Sequence, residues 1–312
     1  MSWRIVLVWL LVTGPLAGGC VSINVRASQQ PLQETRVSGE GRPKILLIEV
    51  AGFISGEPRG GRILGDRDPS LVSQIAEIVR KAERDRRIKG VVLRINSPGG
   101  TVTASDTIYH ELAEYKHRAG IPMVAQILDL GTSGAYYIAQ AADRIVAQPT
   151  TVTGSIGVIM VRPTVSSLLA KLGVETAEIT SGPHKAMGSP FSPLRDDERA
   201  LFQTVIDEMH GRFVGTVVAG RPRLAPDRIA ALADGRIYTA QQAHDAGLVD
   251  EIGYLETSIA RVKEAAGITQ ASVVIYSRPG EHKGSLYAGP VVNIDAGIWR
   301  FDEPGFLYLW HP

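Results

Sequence analysis

The sequence predicts an α/β protein with a mainly parallel sheet and a more helical C-terminal part. Two observations carry this. From Lys44 onward, short β-branched runs alternate with amphipathic helical runs, the pattern of parallel strands joined by helical crossovers. Two turns bearing Gly and Ser, residues 97–100 and 131–134, each follow a strand run and precede a helical one. Open parallel sheets place their sites at such strand C-termini.

The elements follow in order. KILLIEVAG (44–52) is a β-branched run ending at glycine. Asp68-Pro69 opens a helix whose apolar residues Leu71, Ile75, Ile78, Val79 and Ala82 share one face. GVVLRIN (90–96) is a strand running into Ser97-Pro98-Gly99-Gly100, and Thr103 with Asp106 resembles a capping pair for a helix through Tyr115. IPMVAQI (121–127) leads into Gly131-Thr132-Ser133-Gly134 and the helical stretch YYIAQAAD. RIVA (144–147) and GSIGVIM (154–160) read as strands, followed by a helix over 163–172 and a strand VETAEIT over 174–180. Helices are predicted over 195–219, 226–233, 239–246 and 254–266, with a late strand ASVVIY over 271–276.

Composition narrows the function classes. The 312 residues carry 33 Lys and Arg against 32 Asp and Glu, so no excess positive field draws nucleic acid. One cysteine, Cys20, excludes an intrachain disulfide and a cysteine-built metal site. Arg4, the apolar run 5–12 and the small residues up to Cys20 form an export signal too short to span a bilayer. A lone cysteine after Ala-Gly-Gly resembles a bacterial lipoprotein signal, in which that cysteine is diacylated, although Leu16 lies one position further away than usual. A plain or uncleaved anchor is the alternative. The expected organisation is a signal or anchor over 1–20, a polar linker over 21–43, a main domain over 44–276 and a tail over 277–312.

Local chemistry leaves two readings open at each candidate. Ser133 sits where a helix N-terminus favours developing negative charge, yet serine is also a favoured N-cap. GTSGA misses the nucleophile-elbow pattern because Ala135 replaces its last glycine. The NSPGG turn could aim backbone N–H groups at a ligand, or simply join strand to helix. No histidine has the context of a general base except His184, in the Gly/Pro-rich loop SGPHKAMGSP. Its neighbour Lys185 could serve as a base if burial lowered its pKa, or could be an exposed loop lysine.

Four blocks occur together: INSPGGTVTASDTIYHEL, TSGAYYIAQAADRIVAQPTTVTGSIGVIM, SGPHKAMGSPFSPLRDDER and GRIYTAQQAHDAGLVDEIG. In this order they resemble the signal peptide peptidase A family, membrane-associated bacterial Ser-Lys peptidases with a Clp protease/crotonase-like fold. The resemblance implies Ser133 as nucleophile, Lys185 as general base and Ser155 as the residue orienting the lysine. It implies an oxyanion hole from the N–H groups of Gly99, Gly100 and Gly134, and no metal or other cofactor. The chain is similar to the short members, which form rings of eight subunits with serine and lysine supplied by neighbours. Cleaved signal peptides and other unfolded apolar segments are the implied substrates, on the exported side of the bacterial envelope. Ala135 and His184 depart from the family pattern without removing a catalytic group. Outside peptidases, the same turns would suit a crotonase-like acyl-coenzyme A enzyme, or a silent scaffold of the same fold. The apolar tail GFLYLW either packs on the body or enters the active-site groove as an intramolecular peptide.

Overall fold

The computed structural model describes residues 30–58, 69–279, 285–287 and 306–310. The expected signal, with Cys20, lies outside them, and among the described residues no helix is long and apolar enough to cross a membrane. In chain order the elements are β1 (Gln33–Ser38), β2 (Lys44–Ala51), α1 (Leu71–Ala82), β3 (Ile88–Ser97), β4 (Gly99–Thr101), α2 (Val102–Ala119), β5 (Met123–Thr132), α3 (Gly134–Ala139), β6 (Arg144–Ala147) and β7 (Val152–Gly154). There follow β8 (Ile159–Met160), α4 (Ser166–Lys171), α5 (Asp196–Gly220), α6 (Pro226–Leu232), β9 (Ile237–Thr239), α7 (Ala240–Asp245), β10 (Glu251–Ile252), α8 (Leu255–Ala265), β11 (Ser272–Ser277) and β12 (Phe306–Leu309).

The main sheet has nine strands, ordered β1-β11-β2-β3-β5-β6-β10, with β7 branching from β5 and β9 pairing β7. Its central pairs are parallel, as the sequence predicts. β2 is buried along nearly its whole length, as a parallel strand covered on both faces must be. Leu46, Ile48 and Val50 face one core with Ile75 of α1 and Ile108 of α2, while Ile45 and Leu47 face the other with Ile259 and Val262 of α8. Strand periodicity alone produces this division.

Residue chemistry sets the helix starts. Ser70 Oγ accepts from the Ser73 N–H at 3.2 Å and opens α1. α2 starts slightly earlier than the sequence suggests: extended backbone ends at Thr101, whose hydroxyl accepts from Ala104 N at 3.4 Å. The expected cap Thr103 lies inside the helix, where its carbonyl accepts the Thr107 hydroxyl.

Three further departures matter. No strand forms over 174–180: the alternating pattern finds no edge to pair with, and the whole stretch is exposed. The single run expected over 154–160 is broken into β7 and β8 by a left-handed residue, Ser155. Within the expected linker, Gln33–Ser38 forms an edge strand antiparallel to β11.

A second sheet has three short strands in the order β4-β12-β8. The C-terminal strand lies in its middle and is antiparallel to both neighbours.

Candidate active site

Ser133 stands between the last residue of β5 and the first of α3. Its backbone is left-handed, with φ 54° and ψ −118°. Among the described residues only one other non-glycine residue has positive φ, Ser155 at 50°. Such conformations cost of order 1–3 kcal/mol and persist only where surrounding structure enforces them. Here the enforcement is visible. Thr132 pairs in parallel with Gly154, so the two chains leave the sheet side by side. The Ser133 N–H then donates to the Gly154 carbonyl at 2.7 Å, and the Ser155 N–H to the Arg236 carbonyl at 2.7 Å.

The Ser133 side chain does not cap α3. Its residue is 1% exposed, and its hydroxyl has no hydrogen-bond partner among the described residues. A buried hydroxyl without a partner costs roughly 1–3 kcal/mol, so the cap reading fails on geometry. α3 itself is buried on every side. Its Tyr136 hydroxyl donates to the Leu248 carbonyl at 2.7 Å, and its Tyr137 hydroxyl donates to Asp106 at 2.6 Å.

The NSPGG turn comes to the same place. Ser97 Oγ donates to the Gly52 carbonyl at 2.6 Å and accepts the Gly99 N–H at 3.1 Å, fixing the turn from below. Gly99 has φ 103°, closed to ordinary side chains, and a Cβ there would lie 2.9 Å from the Gly134 nitrogen. A Cβ on Gly134 would overlap Ser105 Oγ and stand 3.3 Å from the Gly100 nitrogen. Gly99, Gly100 and Gly134 are thus brought together at the N-terminus of α3, next to Ser133.

Lys185 is placed differently. It lies in an exposed turn, its own N–H donating to the Gly182 carbonyl at 3.2 Å, and its ammonium has no partner among the described residues. Ser133 and Lys185 are not hydrogen-bonded within this one chain. Beside the lysine, His184 stands 3.9 Å from Asp197. The Arg195 guanidinium hydrogen-bonds Asp197 and holds that carboxyl below the usual range.

An aromatic pocket completes the surroundings; of its walls, Tyr137 lay within a block that carries the resemblance, while Phe213 lay in a helix that the sequence predicted without a functional role. Arg212, Phe213 and Thr216 follow helical spacing on α5, and Phe213 and Thr216 touch Tyr137 of α3. Arg212 donates to Asp106 at 2.7 Å, and the Thr216 hydroxyl donates to Tyr137 at 3.0 Å. Burial, with Asp106 adding to it, pushes the Tyr137 phenol up to about 12.

The profile of Peptidase family S49 matches residues 115–269. A putative signal peptide peptidase SppA of Enterococcus faecium is 36% identical over 262 residues, 84% of this chain and 75% of that protein. Protease 4 of Haemophilus influenzae is 35% identical over 232 residues, 74% of this chain but only 36% of that longer protein. Among solved structures, ClpP1 of Listeria monocytogenes superposes with a TM-score of 0.44 at 16% identity, covering 68% of this chain and 94% of that one. With a serine held unpartnered at a helix N-terminus and relatives of this identity along most of its length, the chain belongs to the signal peptide peptidase A family, peptidase family S49, and is a serine endopeptidase.

Proposed function

We propose that Ser133 is the nucleophile and that Lys185 of a neighbouring copy is its general base. The observation that carries this reading is the Ser133 hydroxyl: buried, without a partner among the described residues, and held in left-handed backbone beside three converging glycines. A neutral Lys185 amine takes the hydroxyl proton as Oγ attacks a peptide carbonyl carbon. The N–H groups of Gly99 or Gly100 and of Gly134 meet the oxyanion, each such donor contributing about 3 kcal/mol. The lysinium then protonates the leaving amine, and water activated by the same lysine hydrolyses the acyl-enzyme. Ser155, emerging beside Ser133, orients the lysine.

Two features support a base supplied in trans. Lys185 is exposed, and its ammonium has no partner among the described residues. The segments leading to and from it also expose large apolar residues, among them Leu168, Leu172, Val174, Ile179 and Phe191. So many exposed apolar residues within one stretch suit a surface that a neighbouring copy covers, and a ring of eight copies fits the resemblance. We read the protein as tethered to a bacterial membrane through Cys20, cutting cleaved signal peptides and other unfolded apolar segments on the exported side.

The test is hydrolysis of casein by the full chain in detergent, beside Ser133→Ala and Lys185→Ala. Loss in both variants, with assembly size intact, is expected. Undiminished activity in either would sink the assignment.

A further inference from the structure

We infer that the basic surface at the end of α1 docks on anionic lipid headgroups, giving the body a second hold on the membrane beside its N-terminal anchor. The inference rests on the reading of residues 1–20 as that anchor. Three observations carry it.

The first is the concentration of charge. Residues 80–89, RKAERDRRIK, hold six cations and two acids, a net of +4, whereas the whole chain has +1. The remaining residues therefore sum to −3 (1 − 4). Cations in the last turn of a helix answer its dipole, which accounts for Arg80 and Lys81. It does not account for Arg84, Arg86, Arg87 and Lys89, which lie past the end of α1 at Ala82.

The second is that the acids nearby are already engaged. Glu83 pairs with Arg118 at 2.7 Å, and Asp85 with Arg87 at 3.0 Å and with Lys44 at 2.7 Å. Lys44 also takes up Glu34, and Arg278 takes up Glu77. Arg80, Arg84, Arg86 and Lys89 are exposed and have no ion-pair partner among the described residues. Arg80 and Arg84 line an open groove of about 730 Å³, with Lys81 and the Tyr276 ring. The surplus positive charge thus faces solvent unopposed, beside a hollow that can admit a phosphate headgroup.

The third is position. The Lys81 ammonium donates to the Leu32 carbonyl at 2.9 Å, and Leu32 is buried in the core. The chain coming from the N-terminus therefore joins the body beside this surface. Twelve residues (32 − 20) separate Leu32 from Cys20, a reach of at most about 43 Å even when extended. With Cys20 at the bilayer, the cations stay within that reach of the headgroups. Basic clusters next to an anchor are drawn to anionic lipid, so place as well as charge selects a membrane as the partner. β3 begins at this surface and runs to the Ser97–Gly100 turn, about 30 Å along ten residues. Docked headgroups therefore leave the corner that holds Ser133 clear.

Vesicle binding tests this. The full chain, diluted from detergent, is titrated with vesicles of phosphatidylcholine alone or with about one third phosphatidylglycerol, and binding is read by flotation. Each Lys or Arg near an anionic surface is worth about fivefold in affinity, so the anionic vesicles should bind at least about tenfold more tightly at about 50 mM KCl. The gain should vanish at about 500 mM KCl, where the field is screened within a few ångströms. Arg80→Gln/Arg84→Gln/Arg86→Gln/Lys89→Gln should lose most of the gain and keep the parent's affinity for neutral vesicles. Arg144→Gln/Arg199→Gln/Arg223→Gln/Arg228→Gln removes the same charge elsewhere and should keep the gain. Should the first variant fail to fold by its thermal midpoint, the pairs Arg80→Gln/Arg84→Gln and Arg86→Gln/Lys89→Gln should each lose part of it. No gain in the parent, a gain that survives the patch changes, or an equal loss in the control variant would overturn the inference. So would a changed assembly size in the patch variant, which would give this surface to a neighbouring copy. Failure of the anchor reading shows separately, as absent binding to neutral vesicles, and leaves the gain from anionic lipid readable.

Discussion

The N–H of Ser133 donates to the carbonyl of Gly154 at 2.7 Å, so one left-handed serine is fastened to the strand that leads into the other, Ser155. The strained backbone at Ser133 is held from outside, by β7, and owes nothing to its own side chain. Replacing the hydroxyl should therefore leave the fold alone. Ser133→Ala is expected to reduce peptide hydrolysis by at least about a thousandfold. Its thermal midpoint should match or slightly exceed the parent's, because the removed group is buried without a partner. A large drop in the melting temperature would show that the hydroxyl is structural.

Gly134→Ala places a methyl group on Ser105 Oγ. Overpacking of this kind costs about 1–3 kcal/mol, and a shifted α3 start would also misplace the amide beside Ser133. The double variant Gly134→Ala/Ser105→Ala should recover part of the loss in urea midpoint. Strict additivity of the two single changes would rule out the contact as the cause.

Mixing inactive chains addresses where Lys185 comes from. Ser133→Ala and Lys185→Ala chains, dissociated and co-assembled, should regain up to about a quarter of the parental rate if each site joins two copies, since a quarter of random neighbours carry both intact groups. Complete inactivity of verified mixed assemblies would place the dyad within one chain.

If β12 occupies the substrate groove, removing residues 306–312 should raise casein hydrolysis several-fold at low substrate, with a smaller effect at saturation. An unchanged rate would mean that the tail serves only as packing.

Acid stability provides a check on the fold itself. Asp85 accepts hydrogen bonds from Arg87 at 3.0 Å and from buried Lys44 at 2.7 Å. The Arg87 bonds first, and Lys44 after them, hold its carboxyl well below the usual carboxylate range. A carboxyl depressed in the folded state stabilises fully above its unfolded value, near 3.9, and the contribution fades as pH falls beneath it. Asp85→Asn should therefore lower the urea midpoint at pH 7, and the gap to the parent should narrow at pH 3. A gap that is constant with pH would point to packing instead of charge.

Much of this architecture is written locally in the chain. Residues 44–51 form β2 because a continuous β-branched run suits a strand buried on both faces. The convergence of the turns 97–100 and 131–134 follows from their shared position at the ends of neighbouring parallel strands, β3 and β5. Segment 174–180 misled because alternation shows only that a strand is possible, while forming one needs a free edge, and Ile179 projects fully into solvent. Gln33–Ser38 was missed for the converse reason: its residues are polar, and the edge of β11 supplies what its own pattern does not. The serine and the glycines could be read from type and order. The pocket could not, since Tyr137, Phe213 and Tyr308 become neighbours only through contacts distant in sequence.

The three-stranded sheet is short, with β12 gripped over no more than four residues, or about 13 Å of extended backbone. β12 hydrogen-bonds along both of its edges, to β4 and to β8. A strand inside another folded sheet has at most one edge to give, and a helix has none. A segment could take the place of Phe306–Leu309 only after leaving whatever sheet or helix it belonged to.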